Sequence, residues 1–254
     1  MNKIANTFKS NLPLYLIEAW GLGLFMISAS LFTIFFQHPD FKFLELIPSD
    51  FIRRMIIGLA MGLTAMGIIY SPWGKKSGAH INPAVTLSFL FLKKIKTIDA
   101  FFYMIFQTIG GTLGVYLIAL ILPVYMNDSS VQYVVTVPGI SGLNGAIIGE
   151  GVISFILMFT TLLISTNQKF KKVTGFVTAI LITCFVVFES PFSGFSMNPA
   201  RTLASAIPSA IWTDWIMYMI VPTISMLSAA SIYKIFFSKR KTENVIKFVF
   251  NGII

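Results

Sequence analysis

Of 254 residues, 56% are hydrophobic and only 11% charged, and mean hydropathy is +0.80, which excludes a water-soluble globular domain because so few polar groups cannot cover a wet surface. The net charge of +9 does not point to nucleic acid, since Lys and Arg lie in short clusters between apolar runs and not along one folded face. Cys184, the only cysteine, sits inside an apolar run, so neither a disulfide framework nor a cysteine-based metal site is available.

Met1–Ser10 carries two lysines, and the apolar run behind it is too long for a signal-peptide core and lacks a small-residue cleavage site. It reads as a retained first span, Leu12–Phe36, followed by a second at Phe51–Tyr70. Pro83–Leu92 comes next and is too short to cross: at about 1.5 Å per residue it reaches about 15 Å, half of a hydrocarbon core. Spans follow at Ile98–Leu122, Gly142–Ser165 and Val173–Phe188, then a second short piece, Pro199–Ile207, and a last span, Trp215–Phe237. The whole of 1–254 is one transmembrane domain, and 238–254 is expected to be a cytoplasmic tail.

Charge fixes the expected orientation. Lys3, Lys9, Lys75, Lys76, Lys93, Lys94, Lys96, Lys169, Lys171, Lys172, Lys234, Lys239, Arg240, Lys241 and Lys247 all fall on one side of the six-span drawing. The other side receives Lys42, Arg53, Arg54 and Arg201. The lysine-rich side is predicted to be cytoplasmic, with both termini inside.

The chain repeats itself over about 12–122 and 142–237. Each half has a span with an internal glutamate (Glu18, Glu150), a second span, a short Asn-Pro-Ala piece and a third span. Three crossings per half invert the second repeat, so the two short pieces enter from opposite faces and can meet near the midplane. The pieces open with Gly78-Ala79-His80-Ile81-Asn82-Pro83-Ala84-Val85-Thr86 and Gly194-Phe195-Ser196-Met197-Asn198-Pro199-Ala200-Arg201. Asn is a favoured N-cap, and Pro fits the first helical position because its missing N–H would have had no partner. One Asn-Pro-Ala is an ordinary helix cap; two in matching places of an inverted repeat are specific.

These motifs, together with Glu18, Glu150 and Gln107 in the third span, resemble aquaporins and glycerol facilitators, the major intrinsic proteins, over about residues 12–237. The resemblance implies an all-α membrane protein, an aquaporin-like right-handed bundle of six transmembrane helices plus two half-helices, with one pore per chain and four chains per assembly. It places Asn82, Pro83, Ala84, Asn198, Pro199 and Ala200 at the pore centre, and Arg201, Phe195, Val186 and Met61 at the outer selectivity filter. Gly62 is the alternative to Met61, because Tyr70–Ser77 carries one extra residue. His80 is assigned to the inner vestibule, and Glu18, Glu150 and Gln107 to structural support.

The implied activity is passive passage of water, with glycerol or another small neutral solute as a second cargo and the bilayer as the surrounding partner; no cofactor or metal is expected, and no enzyme activity. The residence expected is the plasma membrane, the inner membrane of the cell. Two half-helix N-termini and an arginine facing one pore would repel cations, a known device of water channels. The filter signals divide. Phe195 and its frame resemble glycerol facilitators, whereas Thr202 stands where those carry Asp, and Ala206 resembles water channels. Val186 replaces the His of strict water pores; Met61 replaces the large aromatic of glycerol pores. The rivals are a secondary transporter, which needs coupling charges at the midplane, and a non-conducting structural membrane tetramer. Two outer-side groups complete the expectations: His38 solvated in a loop, and Glu189 exposed at the mouth.

Overall fold

The computed structural model describes residues 3–237, so the expected tail at 238–254 lies outside the described residues. Among them the helices run α1 (Lys3–Gln37), α2 (Phe43–Leu46), α3 (Asp50–Tyr70), α4 (Pro72–Ser77), α5 (Pro83–Phe91), α6 (Thr97–Ile121), α7 (Pro123–Asn127), α8 (Gly142–Ser165), α9 (Thr174–Phe188), α10 (Ser190–Ser193), α11 (Pro199–Ser209) and α12 (Trp215–Phe237). Six segments are long and apolar enough to cross a bilayer: α1, α3, α6, α8, α12, and α9 taken together with the 3-10 turn Lys171–Val173 that leads into it. The half-helices α5 and α11 have 9 and 11 residues.

Only α1 departs much from its expected limits, beginning at Lys3 instead of Leu12. Its extra turns are held by α6: Asn11 Nδ2 donates to Asp99 Oδ1 at 2.8 Å, and the Phe8 ring lies 4.8 Å from that of Phe102. The bundle is built from matching pairs, α1 on α6 in the first repeat and α8 on α12 in the second, with α3 on α9 joining the repeats. Close approach explains the glycines at the first pair, since a Cβ on Gly110 would sit 2.0 Å from the Ala19 carbonyl oxygen. A Cβ on Gly67, by contrast, would meet nothing within 4 Å, so close packing does not require that glycine.

Side chains such as Leu16, Leu63, Leu113, Ile148 and Ile224 are exposed along the outside of the bundle. Polar groups collect inside instead, around the two half-helices. An integral multi-pass membrane protein follows, because only a bundle whose backbone bonds are satisfied within its own helices can present such a surface to lipid.

Candidate pore and its two half-helix brackets

Each half-helix begins where sequence chemistry requires. Asn82 Oδ1 accepts the Ala84 N–H at 2.8 Å, and Asn198 Oδ1 accepts those of Ala200 and Arg201 at 3.0 and 3.2 Å, with Pro83 and Pro199 as the first helical residues. The five residues before each Asn follow one path. Gly78, Ala79 and Ile81 have φ of 91°, 47° and 41°; Gly194, Phe195 and Met197 have 77°, 56° and 51°. A run of left-handed residues at membrane depth costs about 1–3 kcal/mol at each non-glycine position and must be held from outside.

The holders are the buried glutamates. Glu18 Oε1 accepts from Ser77 Oγ (2.7 Å) and the His80 N–H (3.1 Å), and Oε2 accepts from the Ile81 N–H (2.6 Å) and Gln107 Nε2 (2.7 Å). Glu150 Oε1 accepts from Ser193 Oγ (3.0 Å) and the Ser196 N–H (2.6 Å), and Oε2 from the Met197 N–H (2.7 Å). Tyrosines close each bracket from behind, Tyr103 Oη donating to the Ser77 carbonyl at 2.8 Å and Tyr218 Oη to that of Ser193 at 2.6 Å.

The two loops are also tied to each other. Asn82 Nδ2 donates to the Met197 carbonyl at 2.7 Å, and Asn198 Nδ2 donates to the Ile81 carbonyl at 2.8 Å. Because each Oδ1 is already committed to its own helix start, the amide orientation is fixed. An amide nitrogen has two hydrogens, so each asparagine keeps a second N–H after making its cross-tie.

Toward the outer end, Met61, Val186 and Phe195 belong to one buried cluster, each under a tenth exposed. A Cβ on Gly62 would point at α9, 2.5 Å from the Ala179 carbonyl oxygen and Thr183 Oγ1, so close packing against α9 requires glycine there. Arg201 Nη1 donates to Thr136 Oγ1 at 2.8 Å. Thr136 Oγ1 in turn lies 3.1 Å from Thr202 Oγ1, which is 2.6 Å from Ser196 Oγ, so a hydroxyl chain anchors the guanidinium to the second loop.

With this geometry in place, comparison with known proteins decides the family. The profile of the major intrinsic protein family matches residues 14–233. The chain belongs to that family. It is 35% identical over 187 residues to a probable NIP-type aquaporin of Nicotiana alata, covering 73% of this chain and 67% of that one. It is 33% identical to aquaporin NIP2-2 of Zea mays, covering 69% and 58%, and 29% identical to aquaporin-4 of Mus musculus, covering 73% and 57%. The match thus spans about three fifths to two thirds of these relatives' lengths. Among solved structures, the aquaglyceroporin of Plasmodium falciparum shares the fold, with a TM-score of 0.74, 21% identity and coverage of 87% of this chain and 95% of that one.

In this major intrinsic protein the inner end is filled differently from the outer. His80 is 8% exposed, its ring stacked on Phe89 at 4.7 Å and 18°, with Nδ1 3.2 Å from Thr86 Oγ1. Two expectations fail. His38 is not solvated but 4% exposed, because Nδ1 accepts the Asp40 N–H at 3.1 Å and the ring packs edge-on to Tyr125 at 4.9 Å. Glu189 is not open at the mouth, since both of its carboxylate oxygens are buried.

Ser77, Ser193, Tyr103, Tyr218 and Thr136 are not among the residues the sequence singles out, and the hydrogen-bonding roles of Thr86 and Thr202 are additions of the structure. A signal for the serines was present: extending each motif one residue toward the N-terminus gives Ser-Gly in both repeats. Thr136, in a connection with no counterpart in the first repeat, had none.

Proposed function

We propose that this chain is a passive channel carrying water, with glycerol as a slower second cargo, and that its pore runs past Asn82 and Asn198 to a filter of Arg201, Phe195, Val186 and Met61. The observation that carries the reading is the reciprocal tie between the half-helices, which leaves one N–H of each asparagine for a passing oxygen. The positive ends of α5 and α11 face that same point and oppose cations. The names of the relatives, aquaporins from plants and mouse, support water.

The filter supports the second cargo. Arg201 is its one strong donor, and Phe195, Val186 and Met61 form apolar walls, which suits a polyol whose hydroxyls face the arginine while its CH groups face the ring. In the same reading both termini are cytoplasmic, in the plasma membrane, because most of the lysines fall in connections on one side of the six spans. Four chains assemble, each with its own pore. Glu18, Glu150 and Gln107 serve as scaffold, and His80 sits at the inner vestibule as a hydrogen-bonding group.

The test is stopped-flow light scattering on proteoliposomes under sucrose and then glycerol gradients. Rapid water flow and slower glycerol flow above protein-free vesicles are expected, and Val186→His, which narrows the ring and adds a donor, should lower glycerol flow relative to water. Water flow at the protein-free level would overturn the channel reading; absent glycerol flow alone would overturn the mixed filter.

A further inference from the structure

Glu189 ends α9 three residues after Val186 and is used by nothing described so far. Its carboxylate folds inward behind the second bracket. Both oxygens are buried, and neither has a hydrogen-bond partner of ordinary geometry. The space exists only because residue 149 is glycine: a Cβ there would lie 2.2 Å from Glu189 Oε1. The next residue along α8 is Glu150, the bracket itself.

The backbone ties Glu189 to the same device. Its carbonyl accepts the N–H groups of Phe192 (2.8 Å) and Ser193 (3.4 Å), forming the turn α10. Ser193 Oγ then donates to Glu150 Oε1 and accepts the Phe195 N–H at 3.1 Å. A buried carboxylate without donors is costly, whereas a neutral carboxyl in the same place is far less so. The packing therefore suits the neutral acid, and a charge there would set one carboxylate against another across Ser193.

We propose that Glu189 is a positioning residue for the outer half of the pore: neutral, it lets Ser193 and Glu150 hold the loop that presents Phe195 and Asn198, and ionised, it loosens that hold and slows permeation. Burial pushes its carboxyl up to about 8, a weak contact with Ser193 offsets part of the rise, and the charge of Glu150 adds a smaller push in the same direction. An acid shifted upward is neutral below that value and ionises as pH rises through it, so permeability should fall on the alkaline side. The titratable groups that act on it are Glu150 from α8 and Tyr218 from α12, and Arg201 from α11 and Asp214, just before α12, act in turn on Tyr218. At the start of α3, which touches Phe188 through Phe51, Arg53 and Arg54 both pair with Asp50.

A second group is shifted to the same value. Lys94, in the loop after α5, is pulled down to about 8 by burial. The experiment must separate the two. Water permeability of proteoliposomes is measured from about pH 6 to about pH 9.5, for wild type, Glu189→Gln and Lys94→Met. The expected result is a fall of about twofold or more in wild type with a midpoint near 8, the same fall in Lys94→Met, and none in Glu189→Gln, which keeps the neutral shape.

A flat wild-type profile, or an equal fall in Glu189→Gln, or loss of the fall in Lys94→Met, overturns the proposal. The proposal rests on the channel reading, so an infrared titration of wild type is run beside it: a protonated-carboxyl stretch should disappear with the same midpoint. That measurement needs no flux and no variant, and absence of such a band overturns the proposal even where permeation is not seen or the variant does not assemble.

Discussion

Around Glu18 four donors converge, and around Glu150 three. The backbone paths they hold match, left-handed at Gly78, Ala79 and Ile81 and at Gly194, Phe195 and Met197, and extended at Asn82 and Asn198. What differs is the filling. Four residues beyond Tyr103 stands Gln107, which donates to Glu18; four residues beyond Tyr218 stands Pro222, which has no such donor. Thr86 links to His80 and Gln107 at the inner end, whereas Thr202 links to Ser196 and Thr136, and so to Arg201, at the outer. One device serves twice because its work is backbone work, and each end takes its chemistry from side chains that the bracket leaves free to vary.

The largest effect should come from removing a bracket. Glu18→Ala and Glu150→Ala each strand two backbone N–H groups at the bundle centre, at about 1–3 kcal/mol apiece, together with a serine hydroxyl. Several kcal/mol is a large part of any protein's stability, so both variants should yield little folded protein by size-exclusion chromatography of solubilised membranes. Glu18→Ala should be the worse, since it loses four bonds. Wild-type yield and thermal midpoint in either variant would remove the bracket from the account, and a milder loss for Glu18→Ala would reverse the ranking.

The next effect is on flux and should be equal for the two halves. Asn82→Asp replaces the Nδ2 donor with an oxygen that faces the Met197 carbonyl, and Asn198→Asp does the same against Ile81. Each also brings a negative charge to the point where two helix N-termini meet. Every 1.36 kcal/mol added to the barrier is about tenfold in rate, and water flow should drop by about that much or more at equal abundance. An Asn82→Asp channel with wild-type flow would show that the amide hydrogens are not the central donors. Unequal losses would show that the two ties do different work.

Much of this was legible before any coordinates, and the reason is physical. Long apolar runs have one answer in a bilayer, and a ten-residue piece capped by Asn-Pro has nowhere to begin but its cap, so spans and half-helices could be read within a few residues. The start of α1 was misplaced because Asn11 and Phe8 gain partners on α6, which is a tertiary effect. His38 and Glu189 were misread for the same reason: a polar residue near a span end looks solvated until Tyr125, Asp40 or the gap at Gly149 is known. Thr136 belongs to a connection whose path no periodicity sets.

The smallest effect tests the difference between the brackets most directly. Gln107→Leu reduces the first bracket to the three donors of the second, removing the bond from Nε2 to Glu18 Oε2 and the longer one, 3.2 Å, to Thr86 Oγ1. A hydrogen bond to a charged group is worth about 1.5–3 kcal/mol net, but Gln107 Oε1 is buried with no partner, so the leucine also removes an unsatisfied acceptor. The two terms oppose, and a net loss of about 1 kcal/mol should remain, which for a chain of this size is a fall in thermal midpoint of about 2–4 °C. Water flow should not change, because Gln107 is fully buried behind the loop and the three remaining donors are those that suffice around Glu150. A midpoint loss as large as that of Glu18→Ala would mean that the fourth donor, and not the shared three, carries the first bracket. A gain in midpoint would mean that the unpaired oxygen outweighs the bond, and that the proline-bearing second repeat has the better-resolved bracket of the two.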